Sequence, residues 1–136
     1  MAADVVGYSR LMEADEGGTL NRLKALRRDI MDPATPGHSG RMVKLMSDGA
    51  LVEFASAVDA VTCAIEIQKK IRQFGESGGD STILFQIGIN VGDIIVDGDD
   101  IYGDGVNIAA RIEALAEPGE VYLSRTSADQ VRDKLP

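Results

Sequence analysis

The sequence has one cysteine, no tryptophan and few aromatic residues, which make up 4% of its 136 residues. A single cysteine, Cys63, excludes an intrachain disulfide, and its place beside an apolar helical stripe favours packing over reactivity. The shortage of aromatic side chains argues against stacking platforms for single-stranded nucleic acids. No apolar run approaches the ~18 residues needed to cross a bilayer. The start also lacks the basic region of a signal peptide, so we expect a cytoplasmic protein.

Positive charge is also scarce, because 14 Lys and Arg face 22 Asp and Glu and leave a net charge of −8. That balance argues against a general surface for nucleic acids or anionic membranes, and we expect neither nucleic-acid binding nor direct membrane insertion. It remains compatible with one small anionic ligand whose phosphates are neutralised by metal ions on carboxylates. The length fits one domain, which we expect to span residues 1–136.

Hydrophobic periodicity predicts the order β-α-β-β-α-β, followed by further elements. The apolar or alternating runs that predict strands cover residues 2–6, 41–46, 50–54, 83–91, 94–96 and 121–123. The helical stripes cover residues 20–30, 57–71, 106–115 and 124–135, and loops are expected at 33–40 and 75–81. This order is typical of the α+β, ferredoxin-like arrangement, in which an antiparallel sheet carries both helices of the repeat on one face.

Two carboxylates stand where this fold would bring them together. Asp4 ends the first strand, and Asp48 occupies the tip of the hairpin predicted around Ser47-Asp48-Gly49. Because the first strand of this fold lies in the middle of the sheet, the hairpin tip can approach its end. The pair would form an all-oxygen site suited to Mg²⁺ or Mn²⁺. Taken singly, each residue has a plainer explanation, as a solvated strand end or as a turn former.

Polar groups that could handle a phosphorylated sugar follow at two other places. Gly7 allows the backbone to approach a ligand closely, and the N–H groups after it can donate to phosphate oxygens. Asn107 and Arg111 are four residues apart in a predicted helix and share one face. An amide beside a guanidinium can orient a sugar and stabilise charge that develops on a phosphate. An ordinary exposed helix face is the alternative for this pair.

Three blocks in this order resemble the class III adenylate/guanylate cyclase catalytic domain, in its bacterial branch. They are Ala-Asp-Val-Val-Gly-Tyr-Ser at residues 3–9, the spacing from Lys44 to Asp48, and Gly-Asp-Asp-Ile-Tyr-Gly-Asp-Gly-Val-Asn at residues 98–107. The resemblance runs from residue 2 to about residue 135. It implies the nucleotide cyclase fold and conversion of ATP into 3′,5′-cyclic AMP and pyrophosphate, for cyclic-nucleotide signalling.

The resemblance also implies a role for each matching residue. Asp4 and Asp48, with the Val5 carbonyl, would hold two divalent metal ions, Mg²⁺ or Mn²⁺. Backbone N–H groups of the turn formed by Gly7, Tyr8 and Ser9 would cradle the phosphates. Lys44 and Asp100 would recognise the base, since an ammonium group can donate to adenine N1 and a carboxylate can accept from its 6-amino group. Asn107 would position the ribose, and Arg111 would stabilise the α-phosphate during the reaction.

In this family the site lies between two catalytic domains. One domain supplies the metal-binding aspartates, and the other supplies the base-recognising, ribose-binding and phosphate-binding side chains. The present chain carries both sets, so the resemblance implies a head-to-tail homodimer with two complete sites and an inactive monomer.

Departures from the family pattern leave an alternative function open. Ser47 stands where the family usually has glycine, and would strain the hairpin tip if a positive φ were required there. The family's C-terminal phosphate-binding lysine is missing, and only three residues precede Asp4. We therefore expect a domain incomplete at both ends. The alternative is a catalytically silent cyclase-fold module that binds nucleotide or a partner. A diguanylate cyclase is disfavoured, because the triplet at residues 78–80 that resembles its hallmark lies outside the hairpin.

Overall fold

The structure is a computed structural model that describes residues 1–78, 83–91, 95–97, 100–102, 104–132 and 134. Of residues 74–78, 95–97, 100–102 and 104 it describes the backbone alone. Strands β1 to β7 span Ala2–Val5, Gly40–Met46, Gly49–Phe54, Phe85–Ile89, Ile95–Asp97, Asp100–Tyr102 and Val121–Leu123. Helices α1 to α6 span Tyr8–Ala14, Glu16–Leu26, Asp32–Gly37, Ala57–Gly78, Asp104–Leu115 and Arg125–Val131. A π-helical turn, Arg27–Met31, joins α2 to α3.

The main sheet has the strand order β2-β3-β1-β4-β7, which confirms that the first strand lies in the middle. The pairs β2–β3, β3–β1 and β1–β4 are antiparallel, as the ferredoxin-like order predicts. Strand β7 joins β4 in parallel, so the sheet is mixed at that edge. Strands β5 and β6 form a separate antiparallel ribbon. The predicted α+β class is confirmed.

One face of the sheet holds the main hydrophobic core. Residues on alternate positions of a strand point to opposite faces, and on β1 it is Ala3 and Val5 that enter this core. Leu23 from α2 and Ile67 from α4 pack into the same core, so both helices of the β-α-β-β-α-β unit lie on one face, as predicted. Cys63 is also fully buried there. Its burial raises the pKa of the thiol to about 11, which supports a packing role.

The opposite face of the sheet carries helix α5 and is called the α5 face below. Strand pairing aligns Asp4 with Gln86 and Ala2 with Gly88 on this face. Gly88 lies directly beneath the helix, because a Cβ on it would stand 2.6 Å from the Ala109 carbonyl oxygen and 2.7 Å from the Cα of Glu113. The missing side chain therefore allows α5 to lie close to the strand next to Asp4.

The structure corrects several predicted boundaries. The loop predicted at 33–40 is wrong over its first part, because α3 continues the helical path there and carries Pro33 in its first turn, where a missing N–H costs no helical hydrogen bond. Helix α1 was not predicted. Helix α4 runs to Gly78, past the start of the loop predicted at 75–81, whose last residues lie outside the described part. Strand β4 is shorter than the predicted run, Phe85–Ile89.

No helix within the described residues is long and apolar enough to cross a membrane.

The close approach of α5 to Gly88 gives a test of this packing. Gly88→Ala should lower the free energy of unfolding by about 1–3 kcal/mol, because the new methyl group has backbone atoms in its place. Gly17→Ala is the matched control, since Gly17 is exposed in α2 with open space around its Cα, and alanine is favoured there by about 0.5–1 kcal/mol. Urea unfolding of both variants measures the difference. Equal stability of the two variants would contradict the packing described.

Candidate functional site

The hairpin tip, Ser47 and Asp48, lies at the end of β1. Met46 pairs with Gly49 in the β2–β3 ladder, which leaves these two residues as the turn. The Val5 N–H donates a hydrogen bond of 2.7 Å to the Asp48 carbonyl oxygen. The predicted approach of the tip to the end of the first strand is therefore present in the structure.

Gly49 makes room for the Asp4 side chain. The two residues face each other across the β1–β3 pair, and a Cβ on Gly49 would overlap the Asp4 carboxylate. The Asp-Gly dipeptide of the hairpin therefore serves more than turn geometry, because its glycine leaves the space that the first aspartate occupies.

Ser47 does not strain the hairpin tip in the way considered from the sequence. Among the described non-glycine residues, Ser39 is the one with a positive φ. The turn thus forms with Ser47 in a backbone region that any L-residue adopts. The glycine usual in the family at this position is not needed for this turn conformation.

Asp4, Asp48 and Glu113, called the carboxylate cluster below, interact electrostatically. Burial raises the pKa of Asp4, a hydrogen bond with Glu113 opposes that rise, and the charge of Asp48 adds to it. Burial also raises the pKa of Glu113 to about 8, helped by its hydrogen bond with Asp4 and by the charges of Asp4 and Asp48. Near neutral pH, Glu113 is therefore the protonated partner that donates to Asp4.

Glu113 was not predicted as a site residue, although a signal for it existed. The buried positions of α5 are Ala109, Glu113 and Ala116, a spacing of i, i+4 and i+7 that marks the core-facing side of a helix. A glutamate inside such a stripe needs a polar partner, because burying an unpaired carboxyl group is costly. The sequence could not identify Asp4 as that partner, since the contact depends on α5 crossing the sheet beside β1.

The donor set of the cluster fits a hard divalent cation. All its ligand atoms are oxygens, and within the described residues the charged groups that act on the pKa values of Asp4 and Glu113 are other carboxylates. In the described part of the chain, no group of three or more His, Cys, Asp or Glu side chains is arranged to hold a metal ion. Two carboxylates are nevertheless enough for Mg²⁺, which usually takes its remaining ligands from water and substrate phosphates.

An open cavity of about 520 Å³ adjoins the hairpin tip. It is lined by Val5, Gly7, Tyr8, Ser9, Arg10, Glu13 and Asp48. Gly7 has a φ of 63° at the start of α1, a conformation that favours glycine. The turn leads directly into the first turn of a helix, whose N–H groups lack acceptors within the helix. Arg10 adds a positive charge to this wall and was not predicted.

Asn107 and Arg111 lie away from the carboxylate cluster of the same chain. Both are exposed on α5, whereas Glu113 is only 5% exposed beneath it. At roughly 100° per residue, Asn107 and Arg111 point about 120° and about 160° away from Glu113 around the helix axis. The structure places the two on one face, as predicted, but does not bring them to Asp4 and Asp48 within one chain.

Lys44 is exposed on β2. It pairs with Leu51, which pairs in turn with Ala2, so Lys44 belongs to the α5 face. Strand β6, which begins at Asp100, contacts β2. The Asp100 side chain lies outside the described residues, and the predicted Lys44–Asp100 pair stays a prediction.

The raised pKa of Glu113 predicts how stability depends on pH in the metal-free protein. Between the ordinary value of 4.5 and about 8, the folded protein binds more protons at this group than the unfolded chain. Its contribution to stability is thus fully present at low pH and is lost as the pH rises through about 8. Glu113→Gln, whose amide can donate to Asp4 at any pH, should melt at least about 3 °C higher than wild type at pH 9. At pH 5 the two should differ little.

Thermal melts in the presence of a chelator measure this difference. Glu117→Gln is the control, because Glu117 is exposed just beyond α5. A constant offset between wild type and Glu113→Gln across the whole pH range would contradict the assignment of the proton to Glu113.

Comparison with known proteins adds to this geometry. The sequence profile described as "Adenylate and Guanylate cyclase catalytic domain" matches residues 1–134. A Rhizobium meliloti (strain 1021) protein named "Putative adenylate cyclase 3" is 49% identical over 125 residues, which are 91% of this chain and 21% of that protein. The chain therefore spans about one fifth of the length of that relative.

Two solved structures are similar in fold. An adenylate/guanylate cyclase/hydrolase from Silicibacter pomeroyi superposes with a TM-score of 0.91 and 44% identity, covering 98% of this chain and 78% of that one. The adenylyl cyclase CyaB from P. aeruginosa superposes with a TM-score of 0.80 over 99% of this chain and 80% of that one. At 24% identity, CyaB supports the fold alone.

Proposed function

Because the chain belongs to the adenylate and guanylate cyclase catalytic domain family, we propose that it converts ATP into 3′,5′-cyclic AMP and pyrophosphate. The observation that carries this proposal is the meeting of Asp4 and Asp48 beside the open cavity. The Val5 N–H bond to Asp48 holds the two ends of this arrangement together. The cavity next to it has room for a triphosphate.

The reaction is an in-line attack of the ribose 3′-hydroxyl on the α-phosphate, with pyrophosphate as the leaving group. Asp4 and Asp48 would hold two divalent cations, helped by the Val5 carbonyl. When bound, such cations activate the attacking hydroxyl and neutralise the leaving pyrophosphate. Backbone N–H groups after Gly7 would donate to phosphate oxygens in the cavity.

Arg10 and Glu113 are additions of the structure to this scheme. The cation of Arg10 lies on the cavity wall and would offset phosphate charge. Glu113, by donating a hydrogen bond to Asp4, would keep that side chain oriented, and its proton would be disfavoured beside a bound cation. Divalent-cation binding should therefore release protons near neutral pH.

Recognition of adenine would rest on Lys44 and Asp100. The donor and acceptor pattern of these side chains matches adenine N1 and the 6-amino group, and guanine presents the opposite pattern. The contact between β2 and β6 supports their proximity at the level of the backbone. The Rhizobium meliloti relative is named "Putative adenylate cyclase 3", which also favours ATP as the substrate.

Completion of the site would require a second copy of the chain. Asn107 and Arg111 point away from the cluster of their own chain, so they are available to a neighbour's site. Ile108 and Leu115, on the same helix, are 40% and 76% exposed. Apolar side chains beside functional polar ones are what a partner surface would cover. We therefore propose a head-to-tail homodimer in which each copy contributes one half of each site.

The role of Asp48 is tested by substitution. Asp48→Ala should reduce cyclic AMP formation with Mn²⁺ and ATP by at least about 100-fold, because the site loses one of its two carboxylate ligands. Asp129→Ala is the control, since Asp129 of α6 forms an exposed pair with Arg132 and belongs neither to the carboxylate cluster nor to the cavity wall. Cyclic AMP formed by wild type and by each variant is measured by chromatography, and the rates are compared. Equal rates in all three would remove the metal assignment. ATP binding without product even in wild type would favour the catalytically silent module.

The dimer arrangement is tested by mixing two inactive variants. Asp48→Ala and Arg111→Ala should each be inactive alone, because each damages every site of its own homodimer. In an equimolar mixture, half of the dimers combine the two chains, and each of these has one intact site. The mixture should therefore recover about a quarter of the wild-type activity. A mixture as inactive as its components, in protein shown to exchange subunits, would exclude shared sites.

A further inference from the structure

Arg27 reaches across the fold to the hairpin tip. It opens the π-helical turn Arg27–Met31 after α2, and its Nη2 donates to the carbonyl oxygens of Met46 at 2.6 Å and Ser47 at 3.1 Å. These acceptors lie 19 and 20 residues further along the chain. The contact therefore links the π-helical turn after α2 to the hairpin turn that carries Asp48.

The two carbonyl groups are placed so that Arg27 acts on Asp48. The Ser47 carbonyl belongs to the peptide group that also contains the Asp48 N–H, so holding it sets the orientation of that peptide plane. The next peptide group is held by β1, whose Val5 N–H donates to the Asp48 carbonyl. Both peptide groups that flank Asp48 are thus fastened by contacts from outside the hairpin.

The helical turn that carries Arg27 is anchored in the main hydrophobic core. Its neighbour Leu26 is 2% exposed and Ile30 is 4% exposed, and both belong to the main core. The register of β2 shifts between Met42 and Lys44, and regular pairing resumes from Lys44 to Met46. A shift of this kind bends a strand. Arg27 therefore adds a contact from outside the hairpin to a tip that stands on a bent strand.

We propose that Arg27 is a positioning residue that sets the affinity of the site for divalent cations. It does so by holding the backbone that carries Asp48, without contact with the cation. This inference rests on the proposed function, because it takes Asp48 as a metal ligand. Supporting groups of this kind typically change metal affinity by about 10- to 100-fold when they are removed.

The experiment compares two neighbouring arginines. Arg27→Gln removes the positive charge and leaves only a shorter amide donor, and Arg27→Met removes the donor altogether while keeping an apolar stem of similar length. Arg28→Gln is the matched control, because it removes the same charge from the same turn. Arg28 is exposed and hydrogen-bonded to Asp29, not to the hairpin. Mn²⁺ alone is titrated into each protein, and the unbound ion is measured by electron paramagnetic resonance. Both Arg27 variants should bind Mn²⁺ about 10-fold more weakly than Arg28→Gln.

A second readout does not depend on the metal. Hydrogen exchange of the Val5 amide should become at least about 10-fold faster in the Arg27 variants, because its acceptor, the Asp48 carbonyl, is no longer held. The amide of Ile87, in the centre of the sheet, should exchange as in wild type. Equal acceleration at both amides would mean a general loss of stability and would overturn the positioning role, as would unchanged exchange at Val5.

Failure of this inference can be told apart from failure of the proposed function. Asp48→Asn is titrated with Mn²⁺ in the same series. If Asp48→Asn weakens binding and the Arg27 variants do not, the positioning role is wrong and the metal site stands. If Asp48→Asn leaves Mn²⁺ binding unchanged, the metal site itself is wrong and the inference falls with it.

Discussion

The hydrogen bond from the Val5 N–H to the Asp48 carbonyl, 2.7 Å long, is the contact on which the site depends. It joins the end of the central strand to a turn more than forty residues later along the chain. Asp4 and Asp48 become neighbours as a consequence, and Gly49 leaves the space that the Asp4 carboxylate fills. Arg27 adds a second support through its hydrogen bonds to the Met46 and Ser47 carbonyl oxygens. The site is thus built by backbone contacts that hold two acidic side chains together against their mutual repulsion.

That repulsion shapes the surroundings of the site. The raised pKa values of Asp4 and Glu113 express the cost of gathering carboxylates in a half-buried position. The proton on Glu113 relieves part of this cost in the metal-free protein, and a divalent cation would relieve it more fully. Glu113 reaches Asp4 only because α5 packs closely over Gly88. The packing of α5 on the sheet therefore determines which carboxyl groups interact in the cluster. A functional site commonly carries a stability cost of this kind.

Much of the fold followed from patterns that are local in the chain. The stripe on α4 and the hairpin around Ser47-Asp48-Gly49 were predicted because their periodicity and turn chemistry agree with the fold. The meeting of Asp4 and Asp48 was predictable from topology, since the strand order leaves few places for the hairpin tip. Arg27 and Glu113 were not found, because each acts through a contact that is long in sequence. Helix α1 was missed because it has only 7 residues and follows Gly7, a residue type that more often marks the end of a helix. The parallel addition of β7 has no local signal either.

The central claim is that Asp4 and Asp48 share divalent cations facing a triphosphate. Its most direct test is a crystal structure of the protein with Mn²⁺ and an ATP analogue that cannot cyclise, with data collected at the manganese absorption edge. The account predicts anomalous density between the carboxylates of Asp4 and Asp48, with the triphosphate in the cavity that begins at Gly7. Manganese bound to the triphosphate alone, with both carboxylates turned away from it, would contradict the account.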